Sequence, residues 1–294
     1  MRKLQTLDIK EISHLALRID IDEKELLYLE ENAEKLWRSW LKSRPGKKPR
    51  RIWKAHRRLR RALDGIKGLL GRLELPDHMY GGVKGRSHRD NAAAHVGQDL
   101  VINRDIESFF PSVSHKRVYR LFLELGCSPR VASMLTRLTT DRFQLPQGSP
   151  TSSALANLAL VPAGRRIQGL AKKHGGRYTQ YVDDTTVSGP RHLSKVAPKL
   201  DDIVREHGFR VNAGKSTEMP RGGPQVVTGL RVDQGLNVPP GYVRAVRKMI
   251  EALERGEAVK VASIRGKIRY VGEFDSQAAR SLNRRLVRVL RAQE

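Results

Sequence analysis

Apolar positions along the chain alternate between helical and strand spacing. Near the start, Leu26, Leu29, Ala33 and Leu36 recur at helical intervals within Asp22 to Trp37, which predicts an amphipathic helix. The breaker Pro45-Gly46-Lys47-Lys48-Pro49 follows, and Ile52 to Leu73 predicts a second, basic amphipathic helix. Leu100-Val101-Ile102 opens a strand that ends on Asp105. Ser114 caps a helix whose inner face is Val118, Leu121, Phe122 and Leu125, and Ser128-Pro129 starts another. The small residues from Thr151 to Leu160 predict a helix that packs closely beneath a sheet. Arg177 to Tyr181 and Thr185-Thr186-Val187 read as the strands of a hairpin with Asp183 and Asp184 at its tip. A helix over about 192–207, a strand pair over 225–232 and a helical tail from Tyr242 complete the pattern. In the tail, Leu282, Leu286 and Leu290 lie opposite Arg280, Arg284, Arg288 and Arg291. The fold class expected is α+β.

Charge narrows the choice of partner. The 294 residues carry 56 Lys and Arg against 31 Asp and Glu, a net charge of +25, which points to a polyanion and most simply to nucleic acid. The charge is unevenly spread: residues 1–34 hold nine acids against five bases, whereas Lys35 to Arg72 hold fifteen bases against the single acid Asp64, with Trp37, Trp40 and Trp53 interleaved. No segment has the length or the one-sided apolar face that membrane insertion requires, and the first residues lack a secretory core. The single Cys127 excludes an internal disulfide and a cysteine-based zinc site. A reduced, cytoplasmic protein is expected.

Candidate chemistry centres on carboxylates set among these bases. Asp-Asp is a common turn pair, and Asp201-Asp202, flanked by residues that read as a solvated helix face, is assigned no chemistry. Asp183-Asp184 differs in having Asp105 at the carboxyl end of a second apolar strand, where an acid is costly unless it meets a cation or a donor. Three acids on neighbouring strands suit two Mg²⁺ ions roughly 4 Å apart, the arrangement of metal-assisted phosphoryl transfer. Asp105 and Asp183 are then the bridging ligands and Asp184 a nearby third. The loop Tyr80-Gly81-Gly82-Val83-Lys84-Gly85-Arg86 reads equally as a phosphate-binding loop or a flexible turn. Gly208 to Ser216 fails the Walker pattern by one residue.

At these residues the sequence resembles the reverse transcriptases. Asp105-Ile106-Glu107-Ser108-Phe109-Phe110 is similar to their first palm motif, Leu145-Pro146-Gln147-Gly148-Ser149-Pro150 to the loop that holds template and nucleotide, and Tyr181-Val182-Asp183-Asp184 to the YxDD metal motif. Gly208-Phe209-Arg210-Val211-Asn212 with Lys215 resembles the next motif, and the likeness covers about residues 45 to 235. It implies metal binding by Asp105, Asp183 and Asp184 with help from the Ile106 carbonyl. Gln147 would contact the incoming nucleotide, Lys215 would serve near the pyrophosphate as a proton donor, and Lys84 and Arg86 would grip the triphosphate. Phe110 would occupy the space of a ribose 2′-hydroxyl, which favours deoxynucleotides.

Two further stretches resemble bacterial retron enzymes: Asn91-Ala92-Ala93-Ala94-His95 is similar to their NAxxH motif and Val227-Thr228-Gly229 to their VTG triplet. Val182 stands where those enzymes more often carry Ala. The resemblance implies a right-hand polymerase fold with an antiparallel palm sheet backed by helices. N-terminal helices and basic fingers would span 1–100, a palm 101–235 with a fingers insertion at about 113–144, and a short helical thumb 236–294. It implies deoxynucleoside triphosphates as substrates and a structured noncoding RNA as template and primer, copied from an internal guanosine 2′-hydroxyl into single-stranded DNA that remains branched to it. It also implies phage defence, commonly with an associated effector protein. The nucleic acid would be gripped by Arg280, Arg284 and Arg288 in the minor groove of the RNA-DNA product, and by Asn91, His95 and Thr228. Two alternatives stay open: a reverse transcriptase of another bacterial lineage, related to group II introns or a stand-alone defence enzyme, and a catalytically inert RNA-binding protein.

Overall fold

The computed structural model describes residues 6–44 and 46–293. Two short helices come first, α1 (Ile12–Ile19) and α2 (Glu23–Glu31), the second capped by the Asp22 carboxylate, which accepts from the Lys24 and Glu25 amides. The helix predicted to reach Trp37 ends early. A 3₁₀ turn at Ala33–Leu36 leads instead into strand β1 (Trp37–Arg44), paired antiparallel with β2 (Lys47–Ala55). The helix expected from Ile52 accordingly begins at Arg57, as α3 (Arg57–Leu70). The apolar residues that face the core at helical spacing, Leu59, Ala62, Leu63, Ile66 and Leu69, all lie beyond His56. Ile52, Trp53 and Lys54 take ladder partners in Trp40, Ser39 and Arg38, a nonlocal pairing that outweighs local helix preference. Pro45, in the breaker, lies outside the described residues.

Helix α4 (His88–Ala93) is started by a capping box between Ser87 and Asp90. Strand β3 (Leu100–Asp105) then crosses the centre of the molecule, followed by the single turn α5 (Phe109–Ser112) and by α6 (His115–Glu124) and α7 (Pro129–Thr139), capped by Ser114 and Ser128. Helix α8 (Ser152–Lys173) runs well past Leu160, and its small residues let it lie against β4 (Arg177–Tyr181). After β5 (Asp184–Gly189) come a 3₁₀ turn, α9 (Ala197–Glu206) and β6 (Thr217–Pro220). The short pair β7 (Val226–Val227) and β8 (Leu230–Arg231) leads to three helices, α10 (Pro240–Glu254), α11 (Val261–Gly272) and α12 (Ser276–Arg291).

The central sheet has four antiparallel strands in the order β4-β5-β3-β6. Successive residues of β3 point to opposite faces and join different cores. Ile102, with Val187 and Tyr178, belongs to the main core with Leu155 of α8 and Leu63 of α3. Val101 belongs to a second core with Ala92, Val227, Leu230 and the inner residues of α10, α11 and α12. No helix among the described residues is long and apolar enough to cross a membrane.

His95 joins α4 to the sheet from inside. It is fully buried, with Nδ1 at 2.6 Å from the Ser188 hydroxyl and Nε2 at 2.7 Å from the Thr179 hydroxyl. Burial pushes its pKa down to about 3, so the native state holds a neutral ring. An unfolded histidine takes up a proton near pH 6.5. The stability from His95 is therefore complete above that pH and is lost as pH falls toward its folded value. By about pH 4.5 the loss reaches about 2–3 kcal/mol. Urea midpoints at neutral and acidic pH should show a shallower acid loss in His95→Gln than in the wild type; equal slopes would remove His95 as the source.

Candidate active site

The ends of β3 and β5 set two acids side by side, because Asp105 and Asp184 are directly opposed in the antiparallel register. The Ile106 amide donates to the Asp183 carbonyl at 3.0 Å, and the Asn212 amide to the Asp105 carbonyl at 2.8 Å. Residues 210–212 thus lie along the segment that follows β3 and bring Lys215 into place. Its ammonium bonds both oxygens of Asp105, at 2.8 and 2.9 Å.

Between β4 and β5 the chain reverses in two residues. Val182 takes a left-handed φ of 56°, a conformation that is costly for a β-branched residue and persists only where its surroundings enforce it. Those surroundings are specific. The buried Gln180 donates from Nε2 to the Val182 carbonyl at 2.9 Å, while its Oε1 accepts from Tyr178 Oη at 2.8 Å and Thr185 Oγ1 at 2.7 Å. From below, Gly81 presses so close that a Cβ there would lie 2.4 Å from the Val182 amide nitrogen and 2.6 Å from its Cγ2. The Gly81 carbonyl is held in turn by Asn157 Nδ2 of α8 at 2.7 Å.

Electrostatically the site carries excess negative charge. Burial raises the Asp183 carboxyl above its usual range, and the Asp105 charge adds to the rise. Asp184, the most open of the three, is raised to about 6 by burial and then by Asp183 and Asp105. Among the described residues, no group of three or more His, Cys, Asp or Glu side chains is arranged to hold a metal ion. The donor set nonetheless suits a hard divalent cation: three neighbouring carboxylates, of which Asp183 and Asp184 are raised partly by the acids beside them, with the Lys215 ammonium on Asp105.

The other expected site residues divide into open and committed ones. Phe110 is half-buried on α5, its ring 5.7 Å from that of Phe109. Gln147 is half-buried, and its carbonyl accepts from the Trp53 amide at 2.9 Å. Gly148 follows at φ 113°, with Trp53 O only 2.6 Å from where a Cβ would sit, so β2 is seated on this loop. Lys84 is exposed. Arg86 stacks on Tyr80 at 4.6 Å and donates to the Asp77 carbonyl at 2.6 Å. Arg280, Arg284 and Arg288 are exposed on α12.

Two expectations need correcting. Asn91 and His95, read as nucleic-acid contacts, are both fully buried and face protein. Thr228 is tied to the same assembly: its hydroxyl donates to the His88 carbonyl at 2.9 Å, and Asn91 Nδ2 approaches it at 3.5 Å. The two motifs thus meet each other, and His88 Nε2 continues the link to Tyr270 of α11 at 2.8 Å. Asp201, read as a solvated acid, pairs with the buried Arg104 at 2.8 Å, and Glu218 holds the same guanidinium at 2.9 Å. Gly81 and Gln180 were not singled out by sequence. The double glycine was visible, but its place beneath the turn is tertiary.

Residues 45–253 match the family described as reverse transcriptase (RNA-dependent DNA polymerase). Among curated proteins, the chain is 36% identical over 259 residues to the retron Mx65 reverse transcriptase of Myxococcus xanthus, covering 81% of this chain and 60% of that one. It is 31% identical to the retron Ec86 reverse transcriptase of Escherichia coli, covering 82% and 77% respectively. The chain belongs to the reverse transcriptases of bacterial retrons. This retron-type chain also resembles the solved structure of a foamy viral protease-reverse transcriptase in complex with double-stranded DNA. There the TM-score is 0.50 at 14% identity, covering 87% of this chain and 45% of that one, a likeness of fold alone. A right-hand-like polymerase fold of mixed α and β structure is thereby established.

Proposed function

We propose that this retron-type chain is an RNA-directed DNA polymerase that copies part of a structured noncoding RNA into single-stranded DNA, primed from an internal guanosine 2′-hydroxyl. The observation that carries the proposal is the in-register opposition of Asp105 and Asp184, with Asp183 at a turn enforced by Gln180 and Gly81. An inert binder of RNA has no use for clustered, mutually repelling acids facing a phosphate backbone.

In this reading Asp105 and Asp183 would hold two Mg²⁺ ions, with Asp184 and the Ile106 carbonyl beside them. Such ions would acidify the primer hydroxyl and neutralise charge on the triphosphate. The protein's own residues do the rest. Lys215, anchored on Asp105, stands ready to protonate the departing pyrophosphate, and Phe110 closes the space that a ribose 2′-hydroxyl would need. Gln147, on the loop that carries β2, faces the incoming deoxynucleotide. Lys84 is free to meet its phosphates, whereas Arg86 would first have to leave Tyr80 and Asp77. The four-stranded sheet serves as palm, the basic N-terminal elements and residues 113–144 as fingers, and α10 to α12 as thumb, with Arg280, Arg284 and Arg288 along the product duplex. The setting is the cytoplasm, in phage defence with an effector protein.

The test is the nucleic acid that copurifies with the chain. Sequencing and debranching should find a defined RNA joined through a 2′-linkage to DNA. Heterogeneous RNA with no attached DNA would overturn the retron reaction.

A further inference from the structure

Helix α6 turns Val118 and Phe122 into the main core and leaves Lys116 and Arg120, one turn apart, exposed on its outer side. Arg137 of α7 is exposed beside them. Together with His115, Tyr119 and Leu123, these cations line a groove of about 550 Å³ between the two helices. No acid lines it, and among the described residues no carboxylate pairs with Lys116, Arg120 or Arg137. None of the catalytic candidates belongs to it.

A tight turn forms one rim. Asp141 and Gln144 exchange backbone hydrogen bonds at 3.0 and 3.1 Å, and the two residues between them, Arg142 and Phe143, both take left-handed φ values, 47° and 63°. A bulky aromatic residue at such a φ is strained, yet Phe143 is 76% exposed. Its ring packs at 5.0 Å on that of His115, which itself lines the groove. The turn is also rigidly held: Asp141 Oδ2 accepts from Trp53 Nε1 at 2.7 Å, and the His115 amide donates to the Phe143 carbonyl at 2.9 Å. A fixed, solvent-facing aromatic ring next to unpaired cations is the combination that stacks a base and follows a phosphate backbone. An acidic peptide would satisfy the cations but leave the aromatic platform unused.

We propose that the α6–α7 groove, with Phe143 at its rim, is a binding surface for a single-stranded segment of RNA, separate from the catalytic cleft. Lys116, Arg120 and Arg137 meet successive phosphates, and Phe143 stacks a base. The inference rests on the reading that the chain works on RNA. It adds a hold on the RNA outside the cleft, which anchors a template while its copied part moves.

The full chain is titrated with a fluorescent oligo-uridine RNA at several salt concentrations, and extension of a short primer annealed to an RNA template is measured in parallel. Replacing Lys116, Arg120 and Arg137 with Ala should weaken RNA binding and reduce the slope of log affinity against log salt by about 2, from three lost contacts on a single strand. Phe143→Ala should weaken binding about tenfold with little change in slope. Extension of the short substrate should stay within twofold of wild type in both variants, which also shows that they fold. Wild-type affinity and slope in the triple variant would overturn the proposal, as would displacement of the RNA by polyglutamate at equal strength. If the wild type binds RNA through the groove but extends no primer, the polymerase reading fails and the groove stands.

Discussion

Asp183→Asn is expected to abolish Mg²⁺-dependent extension of an annealed primer, lowering the rate by at least about a thousandfold, about 4 kcal/mol of activation free energy. The substitution keeps the shape of the side chain and removes the charge that a divalent ion needs. It also discriminates between a broken site and a broken fold. Asp183 and Asp184 are raised together by burial and by their neighbouring charges, so removing one charge relieves repulsion in the folded state. The variant should unfold at the same urea concentration as the wild type or a higher one, and it should bind RNA unchanged. Extension within tenfold of wild type would refute metal binding at this position.

The second large effect is expected at a residue with no chemistry of its own. Gly81→Ala places a methyl group 2.4 Å from the Val182 amide nitrogen and 2.8 Å from the Tyr181 carbonyl carbon. These are backbone atoms, so the clash cannot be relieved by turning a side chain. Either the loop retreats or the turn that carries Asp183 is displaced. A shift of about 1 Å in a reacting geometry costs on the order of a hundredfold in rate, and overpacking of this kind costs about 1–3 kcal/mol in stability. Single-nucleotide incorporation should therefore slow by about that factor, with the loss in maximal rate rather than in nucleotide affinity. Gly85→Ala is the control: its φ is 77° and nothing lies within 4 Å of a Cβ there. It should lose about 1 kcal/mol of stability at left-handed backbone and keep its rate. Wild-type incorporation by Gly81→Ala would show that the loop does not support the turn.

The parts of this molecule that were legible in sequence are those governed by local rules. Ser114 and Ser128 cap the helices expected of them, Leu100 to Asp105 forms a strand, and the strands on either side of Val182-Asp183 pair as a hairpin. Tertiary choices were hidden. Residues 37–55 contain bases and aromatics that fit a helix or a strand, and the choice was made by pairing across the turn and by the seat of Trp53 on Gln147 and Gly148. Asn91 and His95 could be found by motif, but motif spacing does not reveal which way a side chain faces, and both face inward. Asp183 and Asp201 each open an Asp-Asp pair, and the flanking residues already set the two pairs apart, but that Asp201 is spent on neutralising Arg104 while Asp183 is left beside other acids is a tertiary fact.

The second core bears on how such enzymes can be recombined. A boundary near residue 236 looks natural because three helices follow it, but their inner residues share a core with Val101 of β3, Ala92 of α4, and Val227 and Leu230. A chimera joined at that point would set the helices of one parent on the apolar surface of another. Exchange of the C-terminal helices between related chains should therefore succeed only when α4 and the β7–β8 pair travel with them. In modular terms the transferable unit is discontinuous: it is assembled from segments that β3 separates in the sequence and that Thr228, His88 and Tyr270 reunite in space.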